Sequence, residues 1–392
     1  MKESLFNYRF EYENQKYIFN TNNNGLIQIN NDIFTEEERE YLRVNRFWVD
    51  DNEDEIALLE REINIQKRQK ELELTIALTN YCNFSCVYCY QNKNEKLMTT
   101  EVANMIIEKI DRILNDNIFE GINIHYFGGE PLLNIPVLIY LDENIKKITD
   151  KIGIVYKAFL TTNGSMLSKE LLQKVKFSSI QLTFDGLEKT HDRLRVSDHF
   201  HFKEEIELIE NIMNFSQAKV LLRTNICKEN KDEIIALHKY IFEKFGNERI
   251  EINPNRTIKY HQDDSFEMLS VQEYAEVAYQ IKLLWSEQKG KFELPVPRST
   301  PCKFPYGNAY AISPEGYCTF CSGSMDQEKK YFFDVDIENK KMFSVRKECK
   351  KCNILPLCLG GCIIQYNLRA GACTYEKYEL KNILISYIKH IS

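Results

Sequence analysis

The spacing of the cysteines constrains this chain more than any other feature. The sequence holds twelve cysteines, three of them between positions 82 and 89 and eight between positions 302 and 373. The first residues lack the basic start, apolar stretch and cleavage site of a secretory signal, so we expect a cytoplasmic protein. Cytoplasmic thiols are kept reduced, and disulfides therefore do not explain the pattern. The spacing instead points to metal ligation.

The composition argues against several classes of protein. With 392 residues and 43% hydrophobic content, the chain can bury at least one large core. Its longest apolar runs fall well short of the roughly 20 residues that span a bilayer. A net charge of −7 argues against binding along a nucleic acid backbone, which requires a concentrated basic surface. We therefore expect neither a membrane nor a nucleic acid as a partner.

The first 71 residues are typical of a small α+β domain. Polar and apolar positions alternate over residues 6–30, with Asn- and Gly-rich turns between them, which predicts two or three antiparallel strands. Helical patterns follow at residues 35–44 and in the strongly charged stretch 50–71. We place a domain boundary near residue 72.

Residues 72–290 alternate short β-type runs with segments of helical period, and residues 291–392 form a third, Cys-rich domain. The predicted strands are residues 74–79, 122–126, 155–161, 179–184, 219–225 and 250–253. Six strand and helix repeats imply an α/β fold, a partial (β/α)6 TIM-like barrel, with ligands at the carboxyl ends of the strands. The last domain is poor in long apolar runs and would need metal to hold its fold.

Cys82, Cys86 and Cys89 follow the first predicted barrel strand in a C-x3-C-x2-C spacing. Three thiolates from one short loop can hold three irons of a [4Fe–4S] cluster and leave the fourth iron open for chemistry. They could also form part of a zinc site, but structural zinc takes four protein ligands and no His lies nearby. The spacing favours an iron–sulfur cluster.

This motif, with an aromatic residue before its last Cys, resembles that of the radical S-adenosylmethionine (SAM) superfamily. Three further motifs agree in order and position: Gly-Gly-Glu at 128–130, Thr-Asn-Gly at 162–164, and the run TFDGLEKTHDRLR from Thr183 to Arg195. The resemblance implies that the three cysteines hold the catalytic cluster. It also implies that SAM contacts Tyr88, Gly128, Gly129, Glu130, Asn163, Thr183 and Arg195.

The resemblance also implies a reaction. In the family, Gly-Gly-Glu binds the amino group of SAM, and Thr183 stands where the family has Ser. The open iron chelates SAM, an electron enters the sulfonium, and the 5′-deoxyadenosyl radical formed abstracts a hydrogen from the substrate. The protein mainly binds, orients and excludes water. Tyr88 either packs against the adenine or is a core aromatic residue.

The second set of cysteines resembles the SPASM domain, an auxiliary-cluster extension of radical enzymes that act on peptides and proteins. The resemblance implies a distal cluster on Cys349, Cys352, Cys358 and Cys373, and a proximal cluster on Cys302, Cys321 and Cys362. Cys318 is either a fourth proximal ligand or a buried thiol, and Cys227 is expected in the core. Three [4Fe–4S] clusters are therefore expected, with zinc as an alternative because thiolate spacing alone does not separate the metals.

The resemblance spans several activities. Maturases of ribosomally made peptides (RiPPs) form thioether or carbon–carbon crosslinks, and anaerobic sulfatase maturases make formylglycine. The sulfatase maturases carry an Asp directly after the second cysteine of the first SPASM segment, where this chain has Ser322. A non-enzymatic iron–sulfur electron-transfer protein would leave the Gly-Gly-Glu, Thr-Asn-Gly and Asp-Gly motifs without a purpose.

The amino-terminal domain resembles the leader-peptide recognition domains of many peptide maturases, where a sheet edge can take up a leader as another strand. The alternative is a sheet that only buttresses the barrel. We therefore expect a radical SAM oxidoreductase that modifies a ribosomally made precursor peptide. Its electrons would come from a flavodoxin- or ferredoxin-type donor.

Overall fold

The computed structural model describes residues 1–29, 34–66, 70–116, 119–246, 249–259, 266–319, 321–324, 330–335, 342–362 and 373–391. The chain divides into two compact units: Met1–Arg68, Ser270–Gly307 and Lys341–Ser392 form the first, and Gln69–Leu269 and Asn308–Lys340 the second. This division differs from the three predicted domains (1–71, 72–290 and 291–392), because the first and last segments of the chain share hydrophobic cores. Within the described residues, no helix is long and apolar enough to cross a membrane.

The amino-terminal part of the first unit contains five strands and two helices. They are β1 (Lys2–Glu3), β2 (Asn7–Tyr12), β3 (Gln15–Asn20), β4 (Gly25–Ile29), α1 (Glu36–Val44), β5 (Trp48–Val49) and α2 (Glu55–Gln66). Strands β2, β3 and β4 form the predicted antiparallel sheet. Glu13 and Asn14 both have positive φ, as a two-residue hairpin turn requires. Thr35 caps α1 in a capping box with Glu38, which explains why the helix begins there.

The second unit contains the predicted α/β sheet. Its six parallel strands are β6 (Glu71–Ala77), β7 (Gly121–Phe127), β8 (Val155–Thr161), β9 (Phe177–Thr183), β10 (Lys219–Ile226) and β11 (Ile250–Arg256). The helices between them are α3 (Thr100–Asp116), α4 (Ile135–Ile152), α5 (Lys169–Lys174), α6 (Glu188–Leu194), α7 (Phe202–Phe215) and α8 (Ile234–Phe245). The strands lie side by side in chain order, which confirms the partial (β/α)6 barrel.

The two faces of this sheet differ in chemistry. On β7, Ile124 and Tyr126 are fully buried, whereas His125 on the other face is half-buried. Asn253 on β11 donates a hydrogen bond of 3.2 Å to Gln181 on β9, across the intervening strand β10. Such a bond requires the polar face to be concave. The strands therefore bury aliphatic side chains on one face, and polar side chains such as His125, Gln181 and Asn253 lie on the other.

The parallel sheet has one strand more than the six predicted. β12 (Ala309–Ile312) pairs in parallel with β6, and β13 (Tyr317–Thr319) and β14 (Lys330–Tyr331) extend the sheet antiparallel beyond it. The sequence carries no clear signal for β12, because AYAI is a run of only four residues whose partner on β6 lies more than 230 positions earlier.

The first unit is completed by α9 (Val271–Lys289), α10 (Lys303–Tyr306), α11 (Leu355–Cys358) and α12 (Glu376–Ile391). Phe10 and Phe19 of the amino-terminal sheet pack with Leu380 and Leu384 of α12. Thr21 Oγ1 also donates a hydrogen bond of 2.5 Å to a backbone carbonyl just before α11. The apolar face of the sheet is thus covered by the Cys-rich end of the chain.

Candidate active site

The first cysteine loop follows β6, and hydrogen bonds of its backbone amides fix its position. The Val87 amide donates to the Leu194 carbonyl at 3.0 Å, which ties the loop to the end of α6. The Phe84 amide donates to Cys82 Sγ at 3.4 Å. An amide aimed at sulfur suits a charged thiolate better than a neutral thiol. The loop is therefore arranged to present sulfur as a ligand.

Cys82, Cys86 and Cys89 lie within electrostatic range of one another. Burial raises the pKa of Cys86 to about 11, Arg195 opposes this, and the two other thiols add to it. Iron must displace these protons to bind. Within the described ranges, no three His, Cys, Asp or Glu side chains surround a single ion position. A [4Fe–4S] cluster, by contrast, takes each thiolate at a separate iron.

Gly128 and Gly129 lie directly against the start of the cysteine loop. The Gly129 amide donates to the Thr79 carbonyl at 2.8 Å. A Cβ on Gly128, whose φ is +139°, would lie 2.3 Å from that carbonyl oxygen, and a Cβ on Gly129 would lie 2.1 Å from the Tyr81 carbonyl oxygen. Glycine is needed here because the backbone of the cysteine loop approaches closely.

Glu130 is fully buried and connects the turns that surround the site. Its carboxylate accepts hydrogen bonds from the Leu132 amide at 3.0 Å, from Thr162 Oγ1 at 2.7 Å and from the Asn163 amide at 2.7 Å. Burial nevertheless raises the pKa of Glu130, although these three donors lower it. The carboxylate thus joins the turn after β7 to the turn after β8, and its predicted contact with the SAM amino group stays a prediction.

Asn163 connects the turn after β8 to the cysteine loop. Its side-chain amide donates to Asn83 Oδ1 at 2.8 Å and lies 3.9 Å from Cys82 Sγ. Its own Oδ1 accepts from the Ser165 amide at 3.0 Å. The residue is buried, so its orientation is fixed by these partners. Asn163 therefore lies beside the first cluster ligand, as a site residue would.

Tyr88 contacts the Asp-Gly motif after β9. Its hydroxyl donates a short hydrogen bond to Asp185, whose other carboxylate oxygen accepts from the Asn225 amide at 2.7 Å. Asp185 is fully buried, and Thr183 two residues earlier is buried at the end of β9. This bond anchors the tyrosine beside the last cysteine, whether or not its ring packs against adenine.

Arg195 is buried within reach of the cysteine loop. Its guanidinium lies 5.4 Å from the centre of the Phe84 ring, and its Nε is 3.9 Å from the Glu205 carboxylate. Glu205 also contacts His191 Nε2 at 3.1 Å. The buried Arg195 Nε has no hydrogen-bond partner in the described part of the chain. An unfilled buried donor beside the loop fits a carboxylate ligand such as that of SAM.

The structure thus brings the predicted residues of the first site together at the carboxyl ends of β6 to β9. Sequence reasoning missed Glu205, which holds Arg195 and His191. A signal existed: Glu205 occupies the apolar face of α7, between Phe202 and Ile209, where a carboxylate needs a buried partner. Cys227 is fully buried and packs with Leu194, which confirms its predicted place in the core.

The four cysteines of the predicted distal cluster all belong to the first unit. Cys349 and Cys352 pack against the core formed around Leu355 and Leu359. Burial raises the pKa of Cys349, with Cys352 and Cys373 contributing, and raises that of Cys358 to about 11, with Cys352 contributing. Cys349 therefore lies within electrostatic range of Cys352 and Cys373, and Cys358 within range of Cys352; the role of the four as cluster ligands stays a prediction.

The predicted proximal ligands are divided between the units, Cys302 and Cys362 in the first and Cys318 and Cys321 in the second. Cys318 lies on β13, in the expected hairpin, opposite Ile312. The Gly323 amide donates to Cys321 Sγ at 3.3 Å. Cys321 therefore resembles Cys82 in accepting an amide, and the proximal ligand set stays a prediction.

The model of the Radical SAM superfamily matches residues 76–241. An uncharacterized protein of Methanocaldococcus jannaschii is 34% identical over 119 residues, which cover 29% of this chain and 39% of that protein. The radical SAM cyclopropyl synthase TigE of Paramaledivibacter caminithermalis is 24% identical over 83% of this chain and 76% of its own length. The chain thus spans well under half of the first of these relatives.

Solved structures share the fold. A structure of anSMEcpe with bound AdoMet covers 82% of this chain and 98% of its own, with a TM-score of 0.63 and 18% identity. Streptococcus suis SuiB bound to precursor peptide SuiA covers 96% of this chain and 98% of its own, with a TM-score of 0.54 and 16% identity. The matched segment begins in β6 and contains the loop, the two glycines, Glu130, Asn163 and Arg195. The chain therefore contains a radical SAM domain, whose cofactors are a [4Fe–4S] cluster and S-adenosylmethionine.

Proposed function

We propose that the chain is a maturase that removes hydrogen from a ribosomally made peptide and thereby forms a crosslink within it. The observation that carries this proposal is the extent of the likeness to SuiB, which covers 96% of this chain rather than the barrel alone. It includes the amino-terminal sheet and the Cys-rich segment. SuiB is bound to its precursor peptide in that structure, which supports a peptide as the substrate class.

Cys82, Cys86 and Cys89 would hold the catalytic cluster, and Arg195 would receive the carboxylate of SAM. When bound, the cluster and SAM supply a radical that abstracts hydrogen from a carbon atom. The residues of this chain orient that chemistry: Asn163 fixes the first cysteine, and the buried Glu130 fixes the turn that carries Asn163.

Between the two bond types expected for the product, we propose a carbon–carbon bond. TigE, the relative that matches 83% of this chain, is named a cyclopropyl synthase, and a cyclopropane closes through a carbon–carbon bond. Ser322 weighs against formylglycine formation, because the place that holds an Asp base in the sulfatase maturases here carries a hydroxyl. The Ser322 carbonyl accepts a hydrogen bond from Tyr90, at 3.5 Å, next to the last cysteine of the loop.

The amino-terminal sheet is proposed to bind the leader of the peptide. Among the described residues, β2 and β4 each pair with β3 alone in that sheet, so each leaves an edge whose backbone groups can pair with an extended chain. The distal and proximal cysteine sets would hold two auxiliary clusters. Electrons would enter from a flavodoxin- or ferredoxin-type donor.

Anaerobic turnover tests this proposal. Reconstituted, reduced protein is incubated with SAM and with short peptides encoded beside its gene, and 5′-deoxyadenosine and peptide mass are measured. We expect 5′-deoxyadenosine and loss of two hydrogen atoms from one peptide, with neither in the variant whose three loop cysteines are Ala. An aldehyde trapped by a hydrazine reagent would favour formylglycine instead. No 5′-deoxyadenosine from the wild type would defeat both.

A further inference from the structure

Arg223 carries a charge on the inner face of the barrel that the first site does not use. It lies on β10, in register with Thr183 on β9 and Asn253 on β11, so its side chain shares their face of the sheet. Its Nε donates to Asn225 Oδ1 at 2.8 Å. Within the described ranges, neither terminal nitrogen has an acceptor and no carboxylate pairs with the guanidinium.

Two other arginines of the same unit have partners. Arg195 is near Glu205, and the two terminal nitrogens of Arg249 each donate to a backbone carbonyl at 2.7 Å. The carboxylate of Asp185, which belongs to the Asp-Gly motif, accepts from Tyr88 and from the Asn225 backbone. The two terminal nitrogens of Arg223 are therefore available for a ligand.

The orientation of Arg223 is set by buried groups. Asn225 is held through its backbone amide by Asp185 and through its carbonyl by the side chain of Asn230, at 2.8 Å. Asn225 and Asn230 are both buried, and Asp185 is bonded to Tyr88 of the cysteine loop. A guanidinium held by Nε loses little further entropy when its two terminal nitrogens bind a planar anion.

Neutral polar groups line the same face of the sheet. A belt of hydrogen bonds runs from His125 to Thr161 at 2.7 Å, from Gln181 to Thr161 at 3.4 Å and from Asn253 to Gln181 at 3.2 Å. Burial lowers the pKa of His125 to about 4, so the imidazole is neutral at pH 7. The belt contributes donors and acceptors but no charge. An anion that enters this part of the barrel would meet Arg223 as its partner.

We propose that Arg223 binds a carboxylate of the peptide substrate, either an Asp or Glu side chain or a carboxyl terminus, next to the residue that loses its hydrogen. This rests on the proposed function, because it places a peptide in the barrel. Arg–carboxylate pairs are bidentate and strong where water is scarce, which selects an acid over the matching amide. Arg223 would thereby determine which peptide segment is presented to the cofactor.

Competitive equilibrium dialysis with defined probes tests this proposal. The probes are Ac-Gly-X-Gly-NH2 with X as Asp, Glu, Asn or Gln, together with Ac-Gly-Ala-Gly carrying a free or an amidated carboxyl terminus. All are mixed at equal concentration with anaerobic holoprotein and SAM, and bound and free peptides are quantified by mass spectrometry. The variants are Arg223→Gln, Arg223→Lys and, as a matched exposed arginine, Arg112→Gln.

We expect the wild type and Arg112→Gln to enrich at least one acid over its amide about tenfold, which corresponds to about 1.4 kcal/mol. Arg223→Gln should abolish the enrichment, and Arg223→Lys should keep part of it, since Lys retains the charge without the fork. Which acid is enriched separates a side-chain carboxylate from a carboxyl terminus. Far-UV circular dichroism checks that each variant is folded.

Three outcomes would overturn the proposal: no enrichment by the wild type, enrichment that survives in Arg223→Gln, or loss of SAM binding in Arg223→Gln. The last would assign the carboxylate to SAM. Failure of the proposed function would register separately, as absence of 5′-deoxyadenosine, because the dialysis measures binding without turnover.

Discussion

The strongest structural role in the first site belongs to Glu130, and replacing it with Gln tests that role. The carboxylate has two oxygens for three donors: Oε1 accepts from Leu132 and Thr162, and Oε2 accepts from the Asn163 amide. A glutamine offers one oxygen and one NH2 group. If its oxygen keeps the two donors of Oε1, its NH2 group faces the Asn163 N–H, so that the N–H loses its acceptor and the buried NH2 group gains none.

The magnitude follows from two opposing effects. A hydrogen bond to a charged group contributes about 1.5–3 kcal/mol, and a buried unsatisfied donor costs about 1–3 kcal/mol. Burial of the charge offsets part of this, because it raises the pKa of Glu130 against the effect of three donors. We expect a net local loss of about 2 kcal/mol, which is about thirtyfold in the opening equilibrium of the turn after β8.

Amide hydrogen exchange of the metal-free protein, read at the Asn163 and Leu132 amides, measures this change. Exchange at Asn163 should accelerate about thirtyfold in Glu130→Gln and remain unchanged in Glu108→Gln, an exposed glutamate of α3. Unchanged exchange at Asn163 in Glu130→Gln, or equal acceleration in the control, would refute the bracing role.

Three further predictions concern the same unit. Gly129→Ala should abolish iron binding by the first loop while the barrel stays folded, because its Cβ would lie 2.1 Å from a loop carbonyl; iron analysis and circular dichroism report the two effects. Glu205→Gln should weaken SAM binding about tenfold by releasing Arg195, as measured by equilibrium dialysis. His238 has its pKa lowered to about 3 by burial, so the unfolded state binds a proton that the folded state lacks between that value and the ordinary 6.5. Stability should therefore fall as pH drops through this window, by up to about 1.4 kcal/mol per pH unit relative to His238→Gln in urea unfolding.

Each of these has a matched control. A Cβ on Gly153 would meet nothing within 4 Å, so Gly153→Ala should retain iron. Glu207→Gln changes an exposed charge of α7 and should leave SAM affinity unchanged. His199 is exposed, and His199→Gln should keep the acid sensitivity of the wild type. Equal effects in variant and control would contradict the corresponding argument.

The barrel strands could be predicted because each one carries its own signal. Residues 155–161, for example, are an apolar-rich run between turn residues, and β8 occupies those positions. β12 could not be predicted, since its four residues form a strand only beside β6. The joining of residues 1–68 with residues 341–392 was equally hidden, because Phe10 meets Leu380 only in the folded chain.

The cofactor motifs could be predicted for the same reason, because each is a short sequence pattern at the end of a predicted strand. What the sequence could not convey is how their side chains are held. The sequence predicts Glu130 as a partner of SAM, but it does not show that the carboxylate is fully buried or that one of its donors is Thr162, which lies 32 positions away. Arg223 is the first of three consecutive polar residues on β10, and only register reveals that it lies level with Thr183.

Iron and sulfide per chain, measured after anaerobic reconstitution, test the central claim most directly. The comparison is between the wild type and the variant in which Cys82, Cys86 and Cys89 are Ala. Three [4Fe–4S] clusters predict about twelve irons in the wild type and about eight in the variant. Equal iron in both proteins would contradict the assignment of the catalytic cluster to this loop. So would the finding that the metal present in the wild type and missing from the variant is zinc.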